Sequence, residues 1–263
     1  ERRQSAVFAT FNRPQAKNAL NTEIVDGLFA LADRLAIDAS ARVLVLRGAG
    51  GTFCAGGDIK EFASQLMAAD PLPGTRDPVE ISNRRFGDLL LKLDALPQAV
   101  VSVVEGAAFG GAMGFVAVSD VAIAASDAKF SLSETTLGLV PAQIGPFLVR
   151  KIGLFNARRL ALTGRRFGAE EALRAGFIDQ ATPDVEAALT GTLNAIGRCE
   201  PAANAATKRV FNAAARSVDP AELDAAAQEF ARCLRGAGRR GAAAFAQKAA
   251  PDWVETYAQE TKA

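Results

Sequence analysis

Two turns rich in small residues, Thr52-Phe53-Cys54-Ala55-Gly56-Gly57-Asp58 and Glu105-Gly106-Ala107-Ala108-Phe109-Gly110-Gly111, each follow a run of apolar residues. Neither carries the GxxxxGK(S/T) or GxGxxG pattern of a nucleotide-binding loop. Small side chains leave backbone N–H groups uncovered, and a helix opening near Gly111 adds its positive dipole end. Two such amides aimed at one point make an oxyanion hole; the same glycines would equally serve tight turns and close packing. Glu134 ends the segment Phe130-Ser131-Leu132-Ser133-Glu134 and precedes an apolar stretch reaching Pro141. Partial desolvation there raises a carboxyl pKa into a range useful for acid/base work. A capping or ion-paired surface glutamate is the other reading of the same residue.

Composition narrows the chemistry further. The 263 residues include no histidine, which excludes Ser-His-Asp and Cys-His catalysis and removes the commonest metal ligand. Acid/base work falls to carboxylates, lysine, tyrosine or the backbone. The three cysteines, Cys54, Cys199 and Cys233, lack metal-ligand spacing, and their odd number argues against a disulfide framework. A reducing, cytoplasmic setting fits them. With 30 Lys+Arg against 29 Asp+Glu, the net charge of +1 gives no field to attract nucleic acid or a membrane surface. The first residues lack the apolar core of a secretory signal, and the uncharged stretch over 106–119 is too short to span a bilayer.

The sequence pattern also indicates the elements that would position these groups. Short apolar runs alternate with helical periodicity, as in an α/β fold with largely buried strands. Residues 6–11 read as a strand leading into the turn Asn12-Arg13-Pro14. Asn21 is placed to cap a helix in which Ile24, Leu28, Leu31 and Leu35 recur at helical spacing, with Leu20 and Val25 as a hydrophobic staple. Residues 43–46 form a continuous apolar run, as in a strand covered on both faces, and a short helix comes next from Asp58. Residues 69–78, with three prolines and a glycine, read as a mobile loop. A helix over 79–93, a strand over 99–104, a helix from Gly110 and strands over 121–124 and 129–132 come after it. Beyond Pro141 the chain reads as mostly helical, with Gly164 and Gly176 where helices stop and Asp219-Pro220 as a cap with first-turn proline. The stripe Leu223, Ala227, Phe230, Leu234 is either core packing or a subunit contact.

These segments together resemble the enoyl-CoA hydratase/isomerase (crotonase) family nearly end to end. Asn12-Arg13-Pro14 with Asn18-Ala19-Leu20-Asn21 resembles its opening motif, and residues 53–60 resemble its first CoA loop. Residues 104–111, continuing to Asp120, resemble the second. Ser133-Glu134 with Leu137-Gly138-Leu139-Val140-Pro141 resembles the catalytic strand and turn. Leu162-Thr163-Gly164 and Ala175-Gly176 match the family's next segment, and Phe245, Lys248, Pro251 and Trp253 match its closing helices.

The resemblance implies an α/β crotonase-type spiral of ββα units over 1–200, the CoA-binding catalytic core. It also implies a C-terminal helical trimerisation region over 201–263, with trimers often paired into hexamers. The chain starts within an early strand, whose usual hairpin partner is expected to be short or absent. Glu134 is implied as the acid/base, with the amides of Cys54 and Gly111 as the oxyanion hole; backbone donors would leave the Cys54 side chain of little consequence. Ala55, Gly56, Gly57, Asp58 and Ile59 are implied to hold the adenine end of CoA, and Lys17 and Ala19 lie in a loop that contacts CoA. Gly110, Gly114 and Pro141 are implied to line the acyl pocket. No separate cofactor is implied, coenzyme A being part of the substrate.

One departure stands out: the family's two-carboxylate hydratases have a glutamate where this chain has Gly114. A single base suits a Δ3,Δ2-enoyl-CoA isomerase, and it would also serve a hydratase in which one carboxylate both activates water and returns its proton. A non-catalytic acyl-CoA-binding scaffold is a third reading. Residues 133–144 with Gly114 resemble bacterial hydratases of glutaconyl-type CoA esters in leucine or acyclic-terpene breakdown. The implied activity is therefore a lyase of fatty-acid-type metabolism, with Arg76, Arg84 and Arg85 as candidates to meet a distal carboxylate.

Overall fold

The apolar run over 43–46 is buried at every position, as a strand covered on both faces must be, and it lies near the middle of a mostly parallel sheet. The computed structural model describes residues 1–67, 71, 72, 74–214 and 220–251. Its strands are β1 (Arg2–Arg3), β2 (Ala6–Phe11), β3 (Val43–Gly48), β4 (Ala99–Val104), β5 (Ala107–Phe109), β6 (Val121–Ala125), β7 (Lys129–Ser131), β8 (Arg166–Gly168) and β9 (Gln180–Thr182). They form two sheets, one in the order β1-β2-β3-β4-β6-β9 and a small one in the order β5-β7-β8. Only β1 on β2 and β7 on β8 run antiparallel.

The helices are α1 (Thr22–Ile37), α2 (Ile59–Met67), α3 (Pro78–Asp94), α4 (Gly111–Val118), α5 (Gly145–Thr163), α6 (Ala169–Arg174), α7 (Val185–Gly197), α8 (Pro201–Ala214), α9 (Pro220–Cys233) and α10 (Arg239–Ala246). Asn21 caps α1 as expected, its side chain accepting from the Ile24 amide. Strand alternation divides the core. Leu44, Leu46, Val100, Val104, Ala122 and Ala124 join the cluster that includes residues of α1, α3, α4 and α5, whereas Val43, Val45, Val101, Val103 and Ile123 join Leu189 of α7. Among the described helices none is long and apolar enough to cross a membrane.

Differences from the sequence reading are local. Part of the second glycine-rich turn is strand β5, paired with β7, and β8 and β9 were not expected. Three-residue strands are too short to show a period. Gly153, with φ 72° and ψ 159°, breaks α5 inside its span. Leu223, Ala227, Phe230 and Leu234 are all buried within this one chain; Phe230 and Leu234 pack with Val79 and Leu139, so the stripe is core packing. The expected loop over 69–78 falls partly, and Asp219 and Trp253 wholly, outside the described residues.

Candidate active site

The site is assembled by backbone pairing between three segments distant in sequence. The Phe53 amide donates to Glu105 O at 2.8 Å, Cys54 N to Ala107 O at 2.9 Å, and Phe109 N to Cys54 O at 3.1 Å. Gly110 N donates to Ser131 O at 2.9 Å, which brings the start of α4 beside the end of β7. Gly56, at φ +98°, meets the second turn closely: a Cβ there would lie 2.9 Å from Phe109 O and 4.0 Å from Gly110 Cα. Glycine is required at that approach.

The opening motif clamps this assembly from one side. Asn18 is fully buried. Its side chain accepts from the Arg13 amide and donates to the carbonyls of Ala49 and Thr52. Arg13 pairs with Asp58 at 2.9 Å and donates to Ala19 O at 2.7 Å. Leu20 N donates to Gly56 O, and Asp58 N donates to Leu20 O, both at 2.8 Å. Thus the two segments expected to hold CoA, residues 17–19 and 55–59, are tied into one unit, with Ala55 N on Lys17 O. Lys17 is exposed and Ile59 opens α2.

This pairing overturns one expected role. The Cys54 amide is engaged by Ala107 O, so it is no free oxyanion donor. Along residues 53–58, Ala55 N is held by Lys17 O, Gly56 N by the Cys54 sulfur at 3.4 Å and Asp58 N by Leu20 O. Gly57 N alone in that run donates to nothing among the described residues. Gly111 is the first residue of α4, where an amide has no partner within its own helix. Among the described residues, the amides left free in these two turns thus include Gly57 and Gly111. The sequence placed Gly57 only among the residues that hold CoA, because which amide stays free depends on the carbonyls of Lys17, Leu20 and Ala107 and on the Cys54 sulfur rather than on a motif.

Glu134 opens the 3-10 turn Glu134–Leu137. The Ser131 hydroxyl donates to Gly164 O and the Thr135 hydroxyl to Ala161 O, which fixes the turn against the end of α5. A Cβ on Gly110 would be a tight 3.3 Å from Glu134 Oε1, at a backbone φ of +52° that favours glycine. Glu134 Oε2 is shut off from solvent and has no partner among the described residues. Burial pushes the carboxyl pKa up to about 7, partly opposed by a hydrogen bond from its own backbone amide.

Gly114 is not an open wall of a pocket. It is buried, and a Cβ there would lie 2.6 Å from Ile144 Cγ2 and 3.0 Å from Leu90 Cδ1. Those side chains fill the space a second carboxylate would need. Leu20 and Phe86 instead pack nearest Gly111. Pro141, half-buried, accepts from Gly145 N. The three arginines are each already paired: Arg76 with Glu80 and Asp224, Arg84 with Asp88 and Asp224, Arg85 with Asp26.

Comparison with known proteins bears on this arrangement. The family model described as enoyl-CoA hydratase/isomerase matches residues 1–256. The crystal structure of an enoyl-CoA hydratase/isomerase from Marinobacter aquaeolei is 40% identical, covering 97% of this chain and 98% of that one, with a TM-score of 0.79. That of Pseudomonas aeruginosa AtuE is 46% identical over the same shares, with a TM-score of 0.78. The 2,3-dehydroadipyl-CoA hydratase of Escherichia coli is 31% identical over 257 residues, 96% of each chain. A fold shared over nearly the whole length, and a family match that spans both glycine turns and Glu134, make this chain a member of the enoyl-CoA hydratase/isomerase family, with the crotonase fold.

Proposed function

We propose that this protein hydrates the 2,3 double bond of an enoyl-CoA thioester, with Glu134 as its single acid/base and the amides of Gly57 and Gly111 as its oxyanion hole. The observation that carries the reading is the half-buried Glu134, whose Oε2 is sealed from solvent and unpartnered among the described residues, beside two loops that leave these two N–H groups unpaired there. Hydration begins as the Glu134 carboxylate takes a proton from water while the hydroxyl oxygen bonds to C3. The π electrons move through C2 to the thioester oxygen, giving an enolate whose negative charge the two amides stabilise. Glu134, now protonated, returns its proton to C2. A pKa of about 7 suits a group that must both take and give a proton near neutrality. In this reading Lys17, Ala19, Ala55, Gly56, Gly57, Asp58 and Ile59 hold the CoA moiety.

A second reading is favoured by one observation, the filling of the Gly114 site by Ile144 and Leu90. With one carboxylate, Glu134 would take a proton from C2 of a 3-enoyl-CoA and return it to C4, which makes the protein an isomerase. Incubation of 2-enoyl- and 3-enoyl-CoA in water labelled with both ¹⁸O and deuterium separates the two. Oxygen label at C3 of a 3-hydroxyacyl product supports hydration. A shifted double bond without oxygen label, whether or not deuterium enters, supports isomerisation, and no turnover of either ester overturns both.

The finer proposal is a branched glutaconyl-type ester. It is supported by the resemblance over residues 133–144 and by a relative named for another dicarboxylic ester, 2,3-dehydroadipyl-CoA. Its distal carboxylate must meet water or a group other than the already paired Arg76, Arg84 and Arg85. For assembly as a trimer, exposed apolar side chains on α5 and α8, including Phe155 and Phe211, supply surface that partners would cover.

A further inference from the structure

The Gly57 amide can stabilise an oxyanion only if it points at a fixed place, and its direction is set by the preceding residue. A trans peptide holds the Gly56 carbonyl and the Gly57 N–H in one plane, pointing opposite ways. The described chain contains no cis peptide bond. Whatever fixes Gly56 therefore aims Gly57. Gly56 has no side chain to anchor it, sits at φ +98°, and is held by two groups. Leu20 N donates to its carbonyl at 2.8 Å. The Cys54 sulfur accepts from its amide at 3.4 Å, and the Cys54 thiol also lies 3.8 Å from its carbonyl oxygen as a donor.

We propose that Cys54 is a positioning residue for the oxyanion hole: its thiol holds both polar ends of Gly56 and so directs the Gly57 N–H. This corrects the expectation that only the Cys54 amide counts. It also inverts it, since the amide is engaged elsewhere and the side chain carries the role. Serving as donor and acceptor together requires the neutral S–H. Complete burial raises the thiol pKa to about 12, so Cys54 stays protonated throughout the working pH range and is no nucleophile. A sulfur hydrogen bond is weak, yet an error of about 1 Å in a catalytic group can cost on the order of a hundredfold in rate. A partial misaiming is accordingly expected to cost about tenfold.

The inference rests on Gly57 as an oxyanion donor, and the test separates the two. Wild type, Cys54→Ala, Cys54→Ser and Gly111→Pro are compared with bound para-dimethylaminocinnamoyl-CoA, whose absorption band moves to the red when its thioester carbonyl accepts hydrogen bonds. Expected for Cys54→Ala is a smaller red shift and a kcat lowered about tenfold, with the acid-limb pKa and CoA affinity unchanged. Serine, which keeps a donor and an acceptor, restores both. A packing role alone would lower thermal stability in the alanine variant without moving the band. Equal red shifts in wild type and Cys54→Ala, or a serine variant no better than alanine, overturn the role of Cys54. No red shift in wild type, or none lost in Gly111→Pro, overturns the oxyanion reading itself.

Discussion

At the scale of residues, Glu134 combines two properties that pull against each other: in the proposed mechanism it must ionise to act, and its surroundings disfavour the charge. Raising its pKa from 4.5 to about 7 makes the buried carboxylate cost about 3 kcal/mol of stability once ionised. Between those pH values the unfolded chain has released the proton that the folded chain keeps, so stability falls as pH rises through this window. Glu134→Gln removes the penalty. Relative to wild type it is expected to gain nothing below pH 4.5 and up to about 3 kcal/mol above pH 7, measured by urea unfolding across pH. The same substitution should lower kcat about a hundred- to ten-thousand-fold while leaving CoA-ester binding intact. Wild-type kcat/KM should decline on the acid side with one ionisation near 7, as only the carboxylate form can take the proton. A variant with full turnover, or a stability gap independent of pH, would remove Glu134 from its role.

At the scale of elements, the fold was legible wherever a local pattern decides it. The strand over 99–104 and the Asn21 cap on α1 appear as read, because a short, nearly continuous apolar run and a capping side chain act within a few residues. Of the proposed site, the desolvation of the Glu134 carboxyl and the place of Gly111 at a helix start were legible, the latter set by the turn before it. The free amide of Gly57 was not legible. Which amide of Cys54-Ala55-Gly56-Gly57 is left free depends on the carbonyls of Lys17 and Ala107, and on a thiol whose rotamer no motif reveals. Nor was the filling of the Gly114 site legible, because Ile144 lies thirty residues away and reaches α4 only through the packing of α5 against it. That packing makes a clear expectation. Gly114→Glu alone should destabilise by about 1–3 kcal/mol through overpacking without raising hydration. Adding Ile144→Ala should recover part of the stability and give the new carboxylate room. Thermal melts of the single and double variants would show no such recovery if Ile144 were not the obstruction.

At the scale of the molecule, the C-terminal helices pack on the Glu134 turn of their own chain. Phe230 and Leu234 pack on Val79 and Leu139, Arg235 pairs with Asp77, and Asp224 pairs with both Arg76 and Arg84. Gly241 of α10 comes so near the turn that a Cβ on it would collide with Leu137 O. Arg84 is thus a bolt between α3 and α9 and not a substrate ligand. Arg84→Met is expected to lower stability and to leave the rate ratio between a glutaconyl-CoA and an uncharged enoyl-CoA unchanged. A selective loss on the charged ester would return Arg84 to the pocket. The near contact of Gly241 with Leu137 has a further consequence for motion. If α9 and α10 open as one cooperative unit, the carbonyl scaffold behind Glu134 opens with them, and a ligand that needs Glu134 in place must resist that opening. Deuterium should then enter the amides of α9 and α10 more slowly when an enoyl-CoA occupies the site.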